Sequence, residues 1–228
     1  MDEDLNFNTY LFLSPNKLII SVYQKSNFAN IYEQEITIQN KNNYINLDLL
    51  KSFLDKNIFE IEKKLKQFIK KIDLLIDCED FFPIQISIKK NNYGDDIIET
   101  NLRYLLNELK DDCKNTLQNN KIVHMIIDNY KIDNKDYSKL PNNIMRCESL
   151  SIDVSFLCLS NNFVKNLEII LKKYQISLGC IVEEKYIKKF FHQKGENPDL
   201  FQMAKQIIEG SNVNEVILVP KSMKNKGF

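Results

Sequence analysis

Short apolar runs alternate with amphipathic stretches along this chain, and the spacing of the apolar positions predicts both strands and helices. Near the start, Tyr10 to Leu13 and Leu18 to Tyr23 are rich in β-branched and aromatic residues, with a polar Ser-Pro-Asn-Lys sequence at 14–17 between them. Two such runs around a turn sequence predict a β-hairpin. Ile31 to Ile38 is predicted to add a third strand.

The strongest helix signal runs from Leu47 to Lys71. Its apolar residues recur at helical spacing and therefore gather on one face: Leu50, Leu54, Ile58, Ile61, Leu65 and Phe68. Lysines occupy the other face, a pattern that suits either packing on a sheet or binding at a membrane surface. The apolar run Ile72 to Ile76, which follows directly, predicts a buried strand and favours packing on a sheet.

The second half of the chain continues this mixture of strands and helices. Apolar and polar residues alternate from Ile84 to Ile88 and from Leu150 to Cys158, which predicts two half-buried strands. Further strands are predicted at Ile122–Ile127, Ile176–Val182 and Val216–Val219, and helices around Ile98–Leu109 with Thr100 as a cap, around Phe163–Tyr174 after Ser160, and from Asn197 to Gly210. A polar connection is predicted from Asp128 to Asn143. Because strands and helices interleave throughout, the predicted fold class is α/β (α+β).

Composition and charge exclude several classes of function. Hydrophobic residues make up 43% of the 228 residues, enough to bury a core, and 31 basic residues balance 31 acidic ones. A balanced charge argues against nucleic-acid binding, which needs a net positive surface. The acidic start, Met1 to Asp4, lacks the basic region of a signal peptide. No apolar run approaches the roughly 18 residues of a membrane helix, so we expect the chain in the cytoplasm.

Cysteines and glycines give no sign of a metal or phosphate site. The five cysteines form no Cys-x-x-Cys pair, which argues against a disulfide framework or a zinc site: Cys78, Cys113, Cys147, Cys158 and Cys180. The five glycines lie far apart in the sequence. A phosphate loop needs clustered glycines so that backbone amides can approach the phosphate. No Walker, Rossmann or Asp-x-Gly-Gly-Gly-Thr motif can be written.

Histidines and carboxylates do not predict a catalytic site either. His124 lies inside an apolar strand, where a hydrogen-bonded core residue is the usual outcome, and His192 has no acidic or cysteine neighbour that suggests a site. Adjacent carboxylates diverge and are interpreted as solvated charge: Asp95-Asp96, Asp111-Asp112 and Glu183-Glu184. The cluster Asp77 to Asp80 lacks the histidine expected of a metal loop. We predict no catalytic, cofactor-binding or metal site and no enzyme activity, with an unrecognised nucleotide-binding or enzyme site as the alternative.

From Ile122 to Asp133, an apolar-His-apolar sequence leads into a Tyr, an apolar residue and an Asp. This stretch resembles a strand of the bacterial cell-division protein FtsA family, and the order of segments from residue 121 to 187 resembles that family as well. Leu150 to Ser160 resembles that family's alternating strand with a small polar cap, and the following helix (161–174) and strand (176–178) also correspond. Glu183 falls where the family often has a Glu. With similar order upstream, the resemblance covers roughly residues 9–187.

This resemblance implies a partial actin-like (ribonuclease H-like) lobe that carries an inserted SHS2 subdomain. The implied limits are 1–82 and 176–228 for the lobe and 83–175 for the insert. The phosphate-binding motifs of actin-like proteins are missing: the first turn, Leu13 to Lys17, has neither Asp nor Gly, and Pro220 stands in the second loop. The resemblance therefore implies a shortened relative that does not bind ATP.

The predicted function is a non-catalytic cell-division adaptor or scaffold. It is expected to act through protein contacts of the SHS2-like insert, with division proteins or by self-association, and without a cofactor or nucleic acid. A partner edge is expected in the sheet of this insert, which includes Ile84 to Lys90 and Leu150 to Leu159. The pilus-assembly protein PilM shares the SHS2-bearing architecture and is the alternative family. The basic tail Lys221 to Phe228 is a candidate for peripheral contact with the cytoplasmic face of the inner membrane.

Overall fold

The computed structural model describes residues 6–39, 43–94, 96, 99–141 and 146–218, and these residues form two compact units. The first unit contains the described residues of Met1–Phe81 and Asn162–Ile208, and the second those of Phe82–Asn161 and Glu209–Phe228. The predicted domain limits at 1–82, 83–175 and 176–228 stay predictions.

Strands and helices interleave along the described chain. The strands are β1 (Phe7–Leu13), β2 (Lys17–Gln24), β3 (Asn30–Thr37), β4 (Lys71–Ile76), β5 (Phe82–Asn91), β6 (Asn120–Ile132), β7 (Lys135–Tyr137), β8 (Ser149–Ser160) and β9 (Ser177–Glu183). The helices are α1 (Leu47–Leu65), α2 (Glu99–Thr116), α3 (Asn161–Lys172), α4 (Glu184–Gln193) and α5 (Leu200–Ile208). The α/β class predicted from the hydrophobic pattern is therefore confirmed.

The first unit is built on a mixed five-stranded sheet in the order β3-β2-β1-β4-β9. The predicted hairpin is present, since β1 and β2 pair antiparallel, and β3 pairs antiparallel with β2. β4 pairs parallel with β1, and β9 pairs parallel with β4. In this sheet only β2 runs against the other strands. That strand order and these directions are those of a ribonuclease H-like sheet, as expected for an actin-like lobe.

Helices cover both faces of this sheet. On one face, the Tyr32 hydroxyl donates to the side-chain oxygen of Asn57 on α1 at 2.6 Å, and Tyr174, just after α3, donates to Asp55 of α1 at 2.6 Å. On the opposite face, Phe201 of α5 packs 6.0 Å from the ring of Tyr10. Strands covered on both faces are apolar along most of their length, which explains the continuous run in β4.

The helix α1 ends at Leu65 instead of continuing to the predicted limit at Lys71. Lys66 adopts the left-handed conformation (φ 54°, ψ 28°), which stops the helix. The carboxylate of Glu62 then accepts a hydrogen bond from the amide of Ile69 at 3.0 Å. Phe68 was predicted to lie on the buried face; that prediction is wrong, because the residue lies in the connection to β4 and is 77% exposed.

The second unit is an antiparallel sheet in the order β5-β8-β6-β7, with α2 on one face. The alternation predicted for β5 and β8 is observed, and the two strands pair along all of β5 without a bulge. The core between sheet and helix includes Leu105 and Leu109 of α2 and Met125, Val154 and Phe156 of the sheet. On the face opposite α2, the side chains are mainly polar along most of the sheet. The sheet of this unit is therefore covered by a helix on one face.

Several boundaries differ from those predicted. The connection predicted from Asp128 to Asn143 is wrong, because β6 continues to Ile132 and turns into β7 through Asp133 and Asn134, which both have positive φ. Thr100 lies inside α2, which begins at Glu99, and is not its cap. The helix predicted from Asn197 begins at Leu200, and Asp199 caps it, since its carboxylate accepts from the amide of Phe201 at 2.9 Å.

Candidate protein-interaction surface

The first hairpin turn, where the resemblance places a phosphate loop, uses its own polar groups internally. The amide and hydroxyl of Ser14 both donate to the carbonyl of Lys17, at 2.9 and 3.2 Å. The carbonyl of Asn16 accepts from the amide of Ile38 at 2.7 Å, and Pro15 has no amide hydrogen. A turn closed in this way offers few amide donors to a phosphate.

The second implied phosphate loop and the basic tail begin beyond the described part of the chain. Pro220 and the segment Lys221 to Phe228 lie outside the described residues. The prediction that this tail touches a membrane therefore stays a prediction. Among the described helices, none combines the length and the apolar character of a membrane-spanning segment.

His124 is a hydrogen-bonded core residue, as predicted. Its Nδ1 lies 3.0 Å from Oε2 of Glu215, and both side chains are 0% exposed. The other carboxylate oxygen of Glu215 accepts from the amides of Met125 and Ile217, at 3.3 and 3.0 Å. A buried carboxylate bonded to three groups is satisfied within the fold, so this pair is structural and offers no free group for catalysis.

The segment around Glu215 pairs with β6 of the second sheet through a short antiparallel bridge. The amide of Ile127 donates to the carbonyl of Asn214 at 3.0 Å, and the amide of Val216 donates to the carbonyl of Met125 at 2.8 Å. The bridge lies at Glu215. The predicted strand at Val216–Val219 is therefore wrong for Val216 to Leu218, which form no strand, while Val219 lies outside the described residues. The contact between His124 and Glu215 could not be predicted from local spacing, because its two partners are 91 residues apart in the chain. A histidine in an apolar strand was the available signal, since a buried imidazole needs a polar partner.

The loop Asp77 to Asp80 is bonded to the first sheet, and the pKa values of its cysteine and of Cys158 are raised. The amide of Asp77 donates to the carbonyl of Leu13 at 2.9 Å. Burial raises the pKa of the Cys78 thiol to about 11 and that of Cys158 to about 12. Such thiols stay protonated near neutral pH and act as small hydrophobic side chains. Within residues 6–218, gaps excepted, no three His, Cys, Asp or Glu side chains gather as metal ligands.

Asp73 is a buried carboxylate in β4 that sequence analysis did not single out. Its Oδ1 accepts from the amide of Cys180 at 2.8 Å and lies 3.2 Å from Nζ of Lys71. It fills the irregularity where β4 and β9 change register. Gly179 leaves room for it, since a Cβ there would lie 2.0 Å from Oδ1. The carboxylate thus joins two strands of the first sheet.

The second sheet contains both of the strands named for the predicted partner edge. β8, which contains Leu150 to Leu159, lies between β5 and β6 and is central. The alternation in β8 marked a half-buried strand correctly, but alternation does not reveal whether a strand is central. β5, which contains Ile84 to Lys90, does lie at the edge, and among the described strands it pairs with β8 alone.

The uncovered face of the second sheet carries hydrogen-bonded polar side chains. The hydroxyl of Ser87 donates to Asp153, and that of Ser155 donates to Asp128. On the same face Asn129 donates to Asp136 at 2.8 Å. These groups pair with each other across the strands and do not converge on one point, an arrangement suited to contact with another protein surface.

The helix α4 was not predicted from the sequence and has a basic exposed face. Lys185, Lys188 and Lys189 are exposed, and Lys188 pairs with the carboxylate of Glu184 at 2.7 Å. His192 lies at the exposed end of the same helix. The lysines at helical spacing around Ile187 and Phe191 were the signal that could have predicted it.

Comparison with known proteins finds distant structural likeness only. No family model and no curated protein matches the chain. The PilM-PilN type IV pilus biogenesis complex is similar over 82% of this chain and 50% of that one, with 7% identity and a TM-score of 0.48. The cytoplasmic domain of EpsL, an inner membrane component of the type II secretion system of Vibrio cholerae, is similar over 79% and 59%, with 10% identity and a TM-score of 0.36.

A third similar structure is a Bacteroides thetaiotaomicron protein with an actin-like ATPase fold and unknown function. It is 15% identical over 82% of this chain and 56% of that one, with a TM-score of 0.34. The chain thus spans between 50% and 59% of the length of these three proteins. At such TM-scores the likeness assigns no function to the chain.

Proposed function

We propose that this protein is a non-catalytic, FtsA-like cell-division adaptor that binds other proteins through its second unit. The order of segments that resembles FtsA supports this assignment. The second unit also runs as strand, helix, strand and strand (β5, α2, β6, β8), with only the three-residue β7 in between, and it follows β4 directly. That element order supports an SHS2-like insert in an actin-like lobe.

The observation that carries the proposal is the uncovered sheet of the second unit. One face packs on α2, while the other presents paired serines and aspartates such as Ser155 with Asp128, next to the edge strand β5. A sheet face and edge of this kind can bind a partner through main-chain and side-chain hydrogen bonds. The first unit, by contrast, has helices on both faces of its sheet and is expected to act as the scaffold.

An adaptor that works through surfaces does not need ATP, and the closed turn at Ser14 to Lys17 supports this part of the proposal. The test is a thermal-shift measurement of the full chain with ATP or ADP and magnesium, for which we expect no change. A ligand at about 100 times its Kd would add about 2.7 kcal/mol of stability. A shift of that size would favour the rival reading as a nucleotide-binding protein or enzyme.

Capture of partners in living cells tests the adaptor role. The tagged full chain is cross-linked in its own host, and the captured proteins are identified by mass spectrometry. We expect division proteins with the wild type and fewer of them with Asp128→Lys, which reverses a charge on the polar face. Glu60→Lys makes the same change on the exposed side of α1 and serves as the control. Equal capture by both variants, or no division or envelope-assembly protein at all, would contradict the proposal.

A PilM-like pilus-assembly adaptor is the second candidate. The element order of the second unit favours both families equally, since PilM shares the SHS2-bearing architecture. Capture of pilus-assembly proteins in place of division proteins would favour this candidate. The predicted location at the cytoplasmic face of the inner membrane is common to both and is tested by fractionating cells with and without residues 220–228.

A further inference from the structure

Among the described strands, β5 is a ten-residue edge strand that pairs with β8 alone. All of its residues from Phe82 to Asn91 pair with β8 in one unbroken register. The opposite edge of the same sheet is occupied by β7 and by the segment around Glu215. A long, regular strand edge exposes unpaired backbone amides and carbonyls and is a ready template for another strand.

The other edge strands of the protein carry the usual protection against such pairing. β3 presents exposed charges at Glu33 and Glu35, β7 has only three residues, and β9 is interrupted by a register shift. Charges, short length and bulges all discourage a further strand. In β5, protective residues stand only at the ends: Pro83 at the start and Lys89 and Lys90 near the finish.

The middle of β5 has an incompletely buried apolar row. Ile84, Ile86 and Ile88 face the helix-covered core, yet each is only half-buried because β5 is the last strand of the sheet. A further strand at this edge would bury more of their surface. Removal of that apolar surface from water would favour the pairing.

The sequence of β5 is complementary to itself in antiparallel orientation. If two copies pair about Ile86, Ile84 of each copy lies opposite Ile88 of the other, and Gln85 lies opposite Ser87. In the same register Lys89 lies opposite Pro83, so no lysine faces a lysine. Parallel pairing in register would instead place Lys89 opposite Lys89, and like charges directly opposite are destabilising. Self-complementarity therefore selects a second copy of this chain as the occupant, with antiparallel direction.

We infer that β5 pairs antiparallel with β5 of a second copy of this chain, centred on Ile86, so that two four-stranded sheets join across a two-fold axis. A shared strand pair of this kind is isologous, because the same residues contribute from both copies. The inference rests on the proposed function in that it names the occupant of the predicted partner edge. The polar face of the sheet stays available for a division protein.

Disulfide trapping tests the register directly. Ile86→Cys, made in a Cys180→Ser background that removes the one described cysteine that is not buried, would bring two cysteines opposite each other. Directly opposite residues have Cα atoms about 4.5 to 5.5 Å apart, within disulfide range. Ile88→Cys is the matched control, because its two copies would be about 14 Å apart along the strands. We expect a covalent dimer on a non-reducing gel for Ile86→Cys and none for Ile88→Cys.

Sedimentation of the full chain gives a second, independent measurement. We expect a concentration-dependent dimer whose dissociation constant rises about five- to tenfold in Ile86→Lys, where two lysines would meet at the axis. Gln85→Lys, which would face Ser87, is expected to change it far less. Circular dichroism confirms that each variant is folded, and the disulfide result does not depend on the lysine variants.

The possible failures are distinguishable. A wild-type chain that stays monomeric at every concentration, or equal cross-linking of Ile86→Cys and Ile88→Cys, would overturn self-pairing at β5. If division proteins are nevertheless captured and Asp128→Lys weakens that capture, the proposed function stands without the dimer. If the dimer forms but no division or envelope-assembly protein is captured, the strand pairing stands and the adaptor role fails.

Discussion

The two units of this protein bury their sheets in different ways. The mixed sheet of the first unit has helices on both faces, with α1 on one side and Phe201 of α5 on the other. The antiparallel sheet of the second unit is covered by α2 and keeps a mainly polar face and an open edge at β5. A sheet enclosed on both faces is suited to holding a shape, whereas a half-covered sheet is suited to binding.

Each unit also contains a buried carboxylate that bonds to another segment of the chain, namely Asp73 and Glu215. In the first unit, Asp73 bonds the backbone of the neighbouring strand at Cys180, so its effect is confined to one strand pair. In the second unit, the carboxylate of Glu215 bonds to the imidazole of His124, which lies 91 residues earlier in the chain. Both carboxylates thus join segments far apart in the chain, since Asp73 and Cys180 are 107 residues apart. In the first unit the bond lies within one pair of adjacent strands, whereas in the second it ties a segment outside the named strands to β6.

The largest expected effect is the loss of the Glu215 carboxylate. Glu215→Ala removes an acceptor from the amides of Met125 and Ile217 and the carboxylate partner of His124. A buried group that loses its hydrogen-bond partner costs about 1 to 3 kcal/mol, and here three groups lose the same carboxylate. We expect this loss in urea unfolding, with faster hydrogen exchange in β6 and unchanged exchange in β1 and β4.

The control for this prediction lies on the same segment. Val213 is 61% exposed, and Val213→Ala is expected to change stability by less than about 0.5 kcal/mol. If Glu215→Ala accelerates hydrogen exchange equally in both units, Glu215 does not act on the second unit alone, and this difference between the units is contradicted.

A smaller effect is expected in the first unit from Gly179→Ala. The new Cβ would lie 2.0 Å from Oδ1 of Asp73 and 3.0 Å from the carbonyl of Ile72. Because Asp73 is held by the amide of Cys180, we expect a loss of about 2 to 3 kcal/mol. Hydrogen exchange should rise in β4 and β9 and not in β6.

Two further variants sharpen this prediction. Gly195→Ala has nothing within 4 Å of its Cβ and a φ of +70°, so it should cost only the left-handed strain of about 1 to 2 kcal/mol. Asp73→Ala combined with Gly179→Ala should cost less than the sum of the single variants, because removing the carboxylate makes room for the methyl group. Additive losses would mean that the clash is not the cause.

The smallest effect concerns stability at high pH. Burial raises the pKa of Tyr130 in the second unit to about 12, and burial together with Asp199 raises that of Tyr23 in the first unit to about 12. The folded state therefore keeps these protons where the unfolded chain, with an ordinary value near 10, has lost them. Their contribution is fully present below pH 10 and is lost as the pH rises towards 12.

We expect each phenol to contribute up to about 1 kcal/mol of the stability lost between pH 10 and 11. Urea midpoints at pH 9, 10 and 11 should fall less steeply for Tyr130→Phe and for Tyr23→Phe than for the wild type. Comparison of the two variants shows which unit limits alkaline stability. A slope identical to that of the wild type in both variants would contradict the assignment.

Much of the fold was predictable because its signals are local. The hairpin of β1 and β2, the buried strand β4 and the half-buried strands β5 and β8 were all predicted from their apolar spacing. The end of α1 was not predicted, because Lys66 adopts the left-handed conformation there and lysine is not a residue type that marks such a stop. The helix α4 was also missed, because its charged residues obscure the few apolar positions that it buries.

The candidate surface was predictable only in part for the same reason. Alternation at Ile84 to Ile88 and at Leu150 to Cys158 indicated one polar face on each strand, and this is observed. It could not distinguish the edge strand β5 from the central strand β8, because both patterns are alike. The partner of His124 was hidden for another reason, as Glu215 lies on a chain segment with no motif of its own.

The sequence by itself determined which stretches become strands or helices and which of their faces are buried. Those properties follow from residue spacing within a few positions, through the geometry of a strand or a helical turn. Tertiary structure alone decided which strand is central, which edge stays open, and that Glu215 reaches His124. Such choices depend on pairing between segments far apart in the chain, and local periodicity carries no information about which partner a strand will meet.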